Sequence, residues 1–274
     1  MISKIISTTG QYKEKSIEII FSADKNNNII DFNLVDNNFK LLGTIHSGSV
    51  EKVLPNNDCI IRLENDCKAF LRYSNKSYKQ NDQLTVQLIK EPKDGKPFSC
   101  IEVKKEAYAK NYIDIFKRII NAPDDTAVIT DNDNPDIWII YSITGFLDKL
   151  IKPIKYLKDG SNIYIEYTKA LTVIDVNAGK NNVKASDYFK EINYQAAREV
   201  VKQLRINNIS GMIIIDFINM NDVNLDNELT LYLQELLSDD YCKCTVYGFT
   251  KGGVLELSRQ RIFSPLYKKL EQFC

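Results

Sequence analysis

A single histidine, His46, stands in a chain of 274 residues. One imidazole cannot build a histidine-rich metal site and gives no basis for a Ser-His-Asp triad. Any catalysis therefore falls to carboxylates. Cysteine is sparse and scattered: Cys59, Cys67, Cys100, Cys242, Cys244 and Cys274 include no C-x-x-C pair. That excludes an obvious disulfide framework and reads as reduced, mostly core thiols. Cys242 and Cys244, at i and i+2, share one face of a strand, where core packing or a soft-metal pair are the open readings. Net charge is also lacking, because 36 basic residues balance 36 acidic ones. Nothing in the bulk charge draws the chain to nucleic acid or membrane, so such a site must be a local patch. No apolar run approaches about 20 residues, and Lys4, Lys13 and Lys15 interrupt the opening. Neither a signal peptide nor a membrane span is expected, and the expected location is cytoplasmic. The one tryptophan, Trp138, lies in an apolar run and reads as core rather than as a ligand platform.

What is present suits a folded core: 44% of residues are hydrophobic, ordinary for a globular protein of one large or two modest domains. Residues 1–38 read as short strands, with "SIEIIFSAD", a "KNNN" break and "IIDFNLVD" forming a hairpin signature. From about Leu41 to Val103 further short strands at close spacing suggest a small barrel. From Glu106 the pattern turns helical, with Tyr112, Ile115, Phe116, Ile119 and Ile120 on one face. A strand at "IWIIYS" and a helix through "FLDKLIKPIKYL" are predicted next. From Asn162 onward strand and helix alternate, through "IYIEYTKALTVIDVN", a helix over Ser186 to Arg205, "GMIIIDFINM", "NELTLYLQELL" and "CTVYGF". That alternation signals an α/β layer architecture in the C-terminal half.

Two of these apolar strands end in an acid, "LTVID" at Asp175 and "MIIID" at Asp216, 41 residues apart. The separation accommodates one strand–helix–strand crossover and brings both acids to the carboxyl edge of a sheet, where ligands gather in α/β folds. A carboxylate at such an edge needs a cation or hydrogen-bond donors. A Mg²⁺ ion, commonly held by one or two carboxylates plus water and phosphate oxygens, is one partner. Capping of the following loops or helices is the other reading. Asn177, two residues beyond Asp175, leaves the strand on the same side and could orient that carboxylate.

"ALTVIDVNAGK", "NYQAAREVVKQLRINNISGMIIIDFINM" and "GGVLELSRQRIFSPL", in that order over about residues 170–270, resemble the catalytic core of the ribonuclease E/G family. More weakly, "GSVEKVLP", "CIIRLENDCKAFL" and "QLTVQLIKEPKDGKPFSC" are similar to the OB-fold RNA-binding domain of ribosomal S-one type inserted in these enzymes. The resemblance implies an α/β and β architecture. An OB-fold barrel (39–105) would be inserted in an RNase H-like subdomain (1–38 and 106–168), followed by a DNase I-like catalytic subdomain (169–274). It implies Asp175 and Asp216 as Mg²⁺ ligands, with Mn²⁺ as a substitute, and Asn177 as the residue positioning that site. For single-stranded RNA it implies contacts from Phe70, Lys96, Lys243, Arg259 and Arg261. Structural pairing with helix-end carbonyls is the competing role for the two arginines. The family's second stacking aromatic is expected at Ile61, where the ring is lost.

Two departures from the family are expected. Residues 106–160 are too few for the module that reads a 5′-monophosphate end, and no Arg-Thr pair occurs there. The C-x-x-C zinc link has only Cys274 to stand for it, so no structural zinc is expected, and a monomer or weak homodimer rather than the family's zinc-tied assembly. The resulting expectation is a Mg²⁺-dependent endoribonuclease. A non-catalytic RNA-binding relative is the alternative, and a metal phosphohydrolase for small substrates would leave the barrel without a purpose.

Overall fold

The computed structural model describes residues 1–73, 76–104, 111–179 and 186–271. The chain opens with β1 (Lys4–Tyr12), β2 (Lys15–Ala23) and β3 (Ile29–Leu34), an antiparallel meander. Lys13 and Glu14 both take positive φ (47° and 64°) between Tyr12 and Lys15. That is the geometry of a two-residue hairpin turn whose twist matches its strands. Helix α1 (Asn37–Leu41) follows, capped by the Asp36 carboxylate accepting from the Phe39 N–H at 2.7 Å.

A closed barrel comes next, built from β4 (Ile45–Val53), β5 (Cys59–Leu63), β6 (Lys68–Leu71), β7 (Gln83–Lys90) and β8 (Phe98–Glu102) in the order β4-β5-β6-β8-β7. Period-two alternation sends Val50, Cys59, Ile61, Ala69, Val86, Leu88 and Phe98 inward to fill it. Gly48 pairs with both Leu63 and Leu84 where the barrel closes. A Cβ there would fall 2.7 Å from the Arg62 carbonyl oxygen, which is why only glycine fits.

The chain then returns to the first sheet. Helix α2 (Tyr112–Ile119) leads to β9 (Ala127–Thr130), which pairs parallel with β1 and completes the order β3-β2-β1-β9. Helices α3 (Ile137–Ile140) and α4 (Ile143–Leu150) cover one face of that sheet through Ile137, Ile143 and Leu147. Trp138 is partly buried in the same cluster, over Gly10, where an added Cβ would meet its ring.

The last part is a six-stranded sheet in the order β10-β11-β12-β13-β15-β14. Its strands are β10 (Ile154–Tyr156), β11 (Asn162–Tyr167), β12 (Leu171–Asn177), β13 (Gly211–Asp216), β14 (Cys244–Phe249) and β15 (Leu255–Arg259). Helices α5 (Ser186–Ile206) and α6 (Val223–Leu237) connect them, and α7 (Leu266–Glu271) follows. Ile163, Ile165, Ile174, Val176, Ile213, Ile215, Leu255 and Leu257 form the buried face. Ile192, Ala196, Val200 and Leu204 of α5 and Leu229, Leu233 and Leu237 of α6 lie on it at helical spacing. These helices cover one face only, so the residues alternating with that core stand on the other.

Buried acid–base pairs join the units. Arg205, in the last turn of α5, grips Asp31 of β3 in a two-pronged contact (Nε–Oδ1 2.8 Å, Nη2–Oδ2 3.1 Å). Lys269 of α7 donates to the fully buried Glu91, just beyond β7, at 3.0 Å, and pairs with Asp36 at 3.3 Å. Leu266 and Leu270 of α7 enter the core of the first sheet. The end of the chain thus fastens barrel and first sheet together.

Three expectations are corrected. "IWIIYS" is helical at Ile137–Ile140, because only Ile137 is fully buried while Ile139 is 77% exposed. A run of apolar residues this short fits either structure by pattern alone. The helix through "FLDKLIKPIKYL" stops at Leu150, and Ile154–Tyr156 is strand. Pro153 disfavours helical backbone in the residue before it and removes an N–H. The six-stranded sheet consequently begins at Ile154, ahead of residue 169. Cys274 lies outside the described residues, and so does the start of the predicted helical stretch at Glu106.

Burial pushes the Glu91 carboxyl above the ordinary carboxylate range, against the pull of the Lys269 ammonium. Lys269→Met is expected to cost about 3 kcal/mol at pH 7, since it strands a buried carboxylate. With Glu91 then holding its proton more tightly in the folded state, the deficit shrinks as pH falls towards the unfolded carboxyl pKa. Urea unfolding of wild type and variant at pH 7 and pH 4 checks both the size and the sign.

Candidate active site

Strands β12 and β13 run parallel, and their register sets Asp175 opposite Asp216. Directly paired residues project to the same face, and neighbouring strands lie about 4.8 Å apart. Both acids are exposed, on the face of the sheet not covered by α5 and α6. The alternation explains the placement: Ile174 and Val176 point into the core, so Asp175 and Asn177 point out, and Ile215 does the same for Asp216. Asn177 donates from Nδ2 to Asp175 Oδ2 at 2.8 Å, fixing one carboxylate's orientation and leaving its other oxygen clear of that bond. The structure brings these three residues together on one face of the sheet.

Among the described residues no group of three or more His, Cys, Asp or Glu side chains converges as a metal cluster. The carboxylate pair nevertheless fits a hard divalent ion, because Mg²⁺ binds through one or two carboxylates and takes its remaining oxygens from water and substrate phosphate. The row that contains the pair extends to β11, where Tyr164 stands opposite Asp175 and is 40% exposed. Sequence reasoning missed Tyr164. The alternation in "NIYIEY" puts it on the face opposite Ile163 and Ile165, but only the register shows it beside the acids.

The proposed RNA contacts are dispersed. Lys243 is exposed just before β14, whose first residue pairs with Arg259, itself opposite Gly211 at the start of β13. That is the far end of the sheet from Asp216, roughly 17 Å along the strand. Arg259 is 3% exposed. It clasps Asp240 (Nε–Oδ2 2.8 Å, Nη2–Oδ1 2.9 Å), donates to the Ile209 carbonyl just past α5 at 3.1 Å, and lies over the Tyr241 ring. The expectation of RNA contact fails for Arg259, because its guanidinium is enclosed and committed to those partners. Arg261 is half-buried and donates to the Glu91 carbonyl at the joint with the barrel. Cys242 and Cys244 belong to the same interior, where burial pushes both thiols up to about 12. Cys242 is buried and Cys244 partly buried, as core packing requires.

On the barrel, Phe70 is half-buried on β6, paired with Ile60 of β5. Ile61 is wholly buried in the barrel core. The position beside the Phe70 ring is therefore Ile60, not Ile61, since successive residues of a strand face opposite sides. Ile60 borders a groove of about 720 Å³ that also includes Lys68, Lys93 and the exposed turn residue Lys96. Lys68 is already paired with Glu51 at 2.7 Å.

The described residues thus combine a closed barrel with an α/β sheet that carries two exposed carboxylates side by side on adjoining strands. The Ribonuclease E/G family model matches residues 63–262, and the chain belongs to that family. A putative ribonuclease E of Buchnera aphidicola subsp. Baizongia pistaciae is 36% identical over 134 residues, 48% of this chain and 33% of the relative. Ribonuclease E of Synechocystis is 35% identical over 136 residues, 49% of this chain and 20% of the relative. Ribonuclease G of Escherichia coli K12 is 31% identical over 127 residues, 46% of this chain and 26% of the relative. Each match spans about half of this chain and a third or less of the relative. A solved multidomain protein with nucleic acid binding domains from Streptococcus pneumoniae aligns over 53% of this chain and 58% of its own, at 15% identity and a TM-score of 0.22, which supports no inference of fold. Among the described residues no helix is long and apolar enough to cross a membrane.

Arg259→Lys is expected to lower stability by about 2 kcal/mol, because an ammonium cannot reproduce the two-pronged contact with buried Asp240. Lys243→Ala, at an exposed position, is expected to change stability by less than about 0.5 kcal/mol. Thermal melts of the two variants side by side check the contrast.

Proposed function

We propose that this chain is an endoribonuclease that hydrolyses phosphodiester bonds of single-stranded RNA in RNA processing or decay, with Mg²⁺ held by Asp175 and Asp216. The observation that carries this reading is the parallel register that sets the two acids side by side, with Asn177 hydrogen-bonded to one of them. Membership of the ribonuclease E/G family supplies the substrate class. Bound there, Mg²⁺ (or Mn²⁺ in its place) would acidify a water and offset the charge that builds on the phosphate. The chain's own residues do the rest. Asn177 holds Asp175 in its liganding orientation, and the open, uncovered sheet face admits an extended strand.

In the same reading the barrel is an OB-fold of the ribosomal S-one type that grips unpaired RNA, with Phe70 stacking a base and Lys96 facing the phosphates. Ile60 beside Phe70 offers apolar contact in place of a second ring, so the grip relies on one aromatic. The four-stranded sheet, in which β9 lies parallel to β1 after the barrel insertion, is the RNase H-like subdomain, without acids for catalysis of its own. The six-stranded sheet is the DNase I-like catalytic subdomain. Lys243 contributes distant, non-specific attraction. The protein acts in the cytoplasm, as a monomer or weak homodimer. The barrel leads to α2 within about ten residues, leaving no room between them for a module that reads a 5′-monophosphate.

Wild type is expected to cut a fluorescent single strand in Mg²⁺, leaving a 5′-phosphate and a 3′-hydroxyl, and to stop when the metal is chelated. Asp175→Asn and Asp216→Asn are each expected to lose at least about a hundredfold in rate with RNA binding retained. Binding by all three proteins without cleavage by wild type would identify a non-catalytic RNA-binding relative instead. Substrates bearing 5′-phosphate and 5′-hydroxyl ends are expected to be cut at equal rates, and a strong preference for the phosphate overturns that part.

A further inference from the structure

Resting on the reading of the sheet face as an RNA-cleaving site, we infer that Tyr164 is the platform on which the base adjoining the scissile phosphate stacks. The strand registers place Ile154, Tyr164, Asp175 and Asp216 in one row across β10, β11, β12 and β13. All four belong to the face that the helices leave open, with Tyr164 40% and Ile154 39% exposed. Cross-strand partners have Cβ atoms about 5 Å apart. The ring is therefore rooted one strand away from Asp175 and two from Asp216. A phosphate bound through a divalent ion held by the acid pair would lie over the carboxylates. The ring is then left opposite a neighbouring nucleotide.

The flanking rows favour a base at this place. On one side Asn162 pairs with Asn177, so uncharged amides border the row. On the other side Glu166 and Glu256 lie in the row of Val173 and Ile214. Those two carboxylates repel a phosphate backbone and steer it past the amide side. Ile154, on the edge strand, gives the ring an apolar neighbour without covering it. Every base has a π-face, so such a platform supplies grip without a sequence motif. It also compensates for the barrel, where the position beside Phe70 carries isoleucine rather than an aromatic ring.

The test uses a short fluorescent single strand with one main cleavage site, in which each base flanking the cut is replaced in turn by an abasic unit. Wild type is expected to lose about tenfold in kcat/KM at one flanking position, as removal of a stacked base predicts. Tyr164→Val is expected to be about tenfold slower on the intact strand and to show no further penalty at that position. Tyr164→Phe, which keeps the ring and loses the hydroxyl, is expected to match wild type, and Tyr164→Leu repeats the comparison should the valine variant not fold. Wild-type rates in Tyr164→Val, or an abasic penalty undiminished in it, overturn the assignment while leaving the nuclease reading intact. Failure of wild type to cut the intact strand in Mg²⁺ overturns the nuclease reading, and the platform with it.

Discussion

The parallel pairing of β12 with β13 is the constraint on which the candidate site depends. Side chains in a strand alternate between faces, so a slip of one residue would send Asp216 into the core and Ile215 to the surface. The slip is resisted by the apolar residues around the acids: Ile174, Val176, Ile213 and Ile215 are buried against α5 and α6. A hydrophobic preference with no chemical role thus fixes where two carboxylates meet. Helix α5, the longest among the described residues, performs the crossover and with α6 closes one face of the sheet, which leaves the other face open.

A second set of constraints acts between units. Asp31–Arg205 and Glu91–Lys269 are buried acid–base pairs linking segments distant in sequence, and Asp240–Arg259 is a third buried pair within the last sheet unit. Pairs of this kind add little net stability compared with apolar substitutes, but removing one member leaves an uncompensated charge. A dry joint that contains a carboxylate accepts only a matching cation, so each pair specifies which surfaces meet. The barrel is seated this way by Glu91, which pairs with Lys269 and accepts from the Ser264 N–H at 2.8 Å, while its own carbonyl accepts from Arg261. Arg259, Arg261 and Lys269 are therefore occupied in assembly, and the Arg259 guanidinium is left with no outward-facing donor role.

Legibility followed periodicity. The barrel strands, the hairpin at the start and the alternation after Asn162 all carried a clear period and a clear break. The four apolar residues of α3 did not, being too few to separate strand from helix, and there the expectation failed. At the barrel, the family resemblance put the lost stacking position at Ile61, which is buried in the core, while the residue that pairs with Phe70 is Ile60. One residue is the difference between core and surface, and an alignment without a register cannot resolve it. Arg259 misled for a related reason, since a basic residue in a conspicuous motif looks the same whether it faces a phosphate or Asp240.

By itself the sequence determined which groups are candidates: one histidine and no C-x-x-C pair left carboxylates, and two apolar strands carried Asp175 and Asp216 on the side that alternation turns away from the core. It also determined which faces are buried, because alternation and helical spacing are local properties. Only the tertiary structure decided which residues share a row. Tyr164 beside Asp175, Ile60 beside Phe70, and Lys243 at the remote end of the sheet are outcomes of pairing between strands. Pairing depends on how whole strands pack against helices on a common core, and that is a property of no single segment.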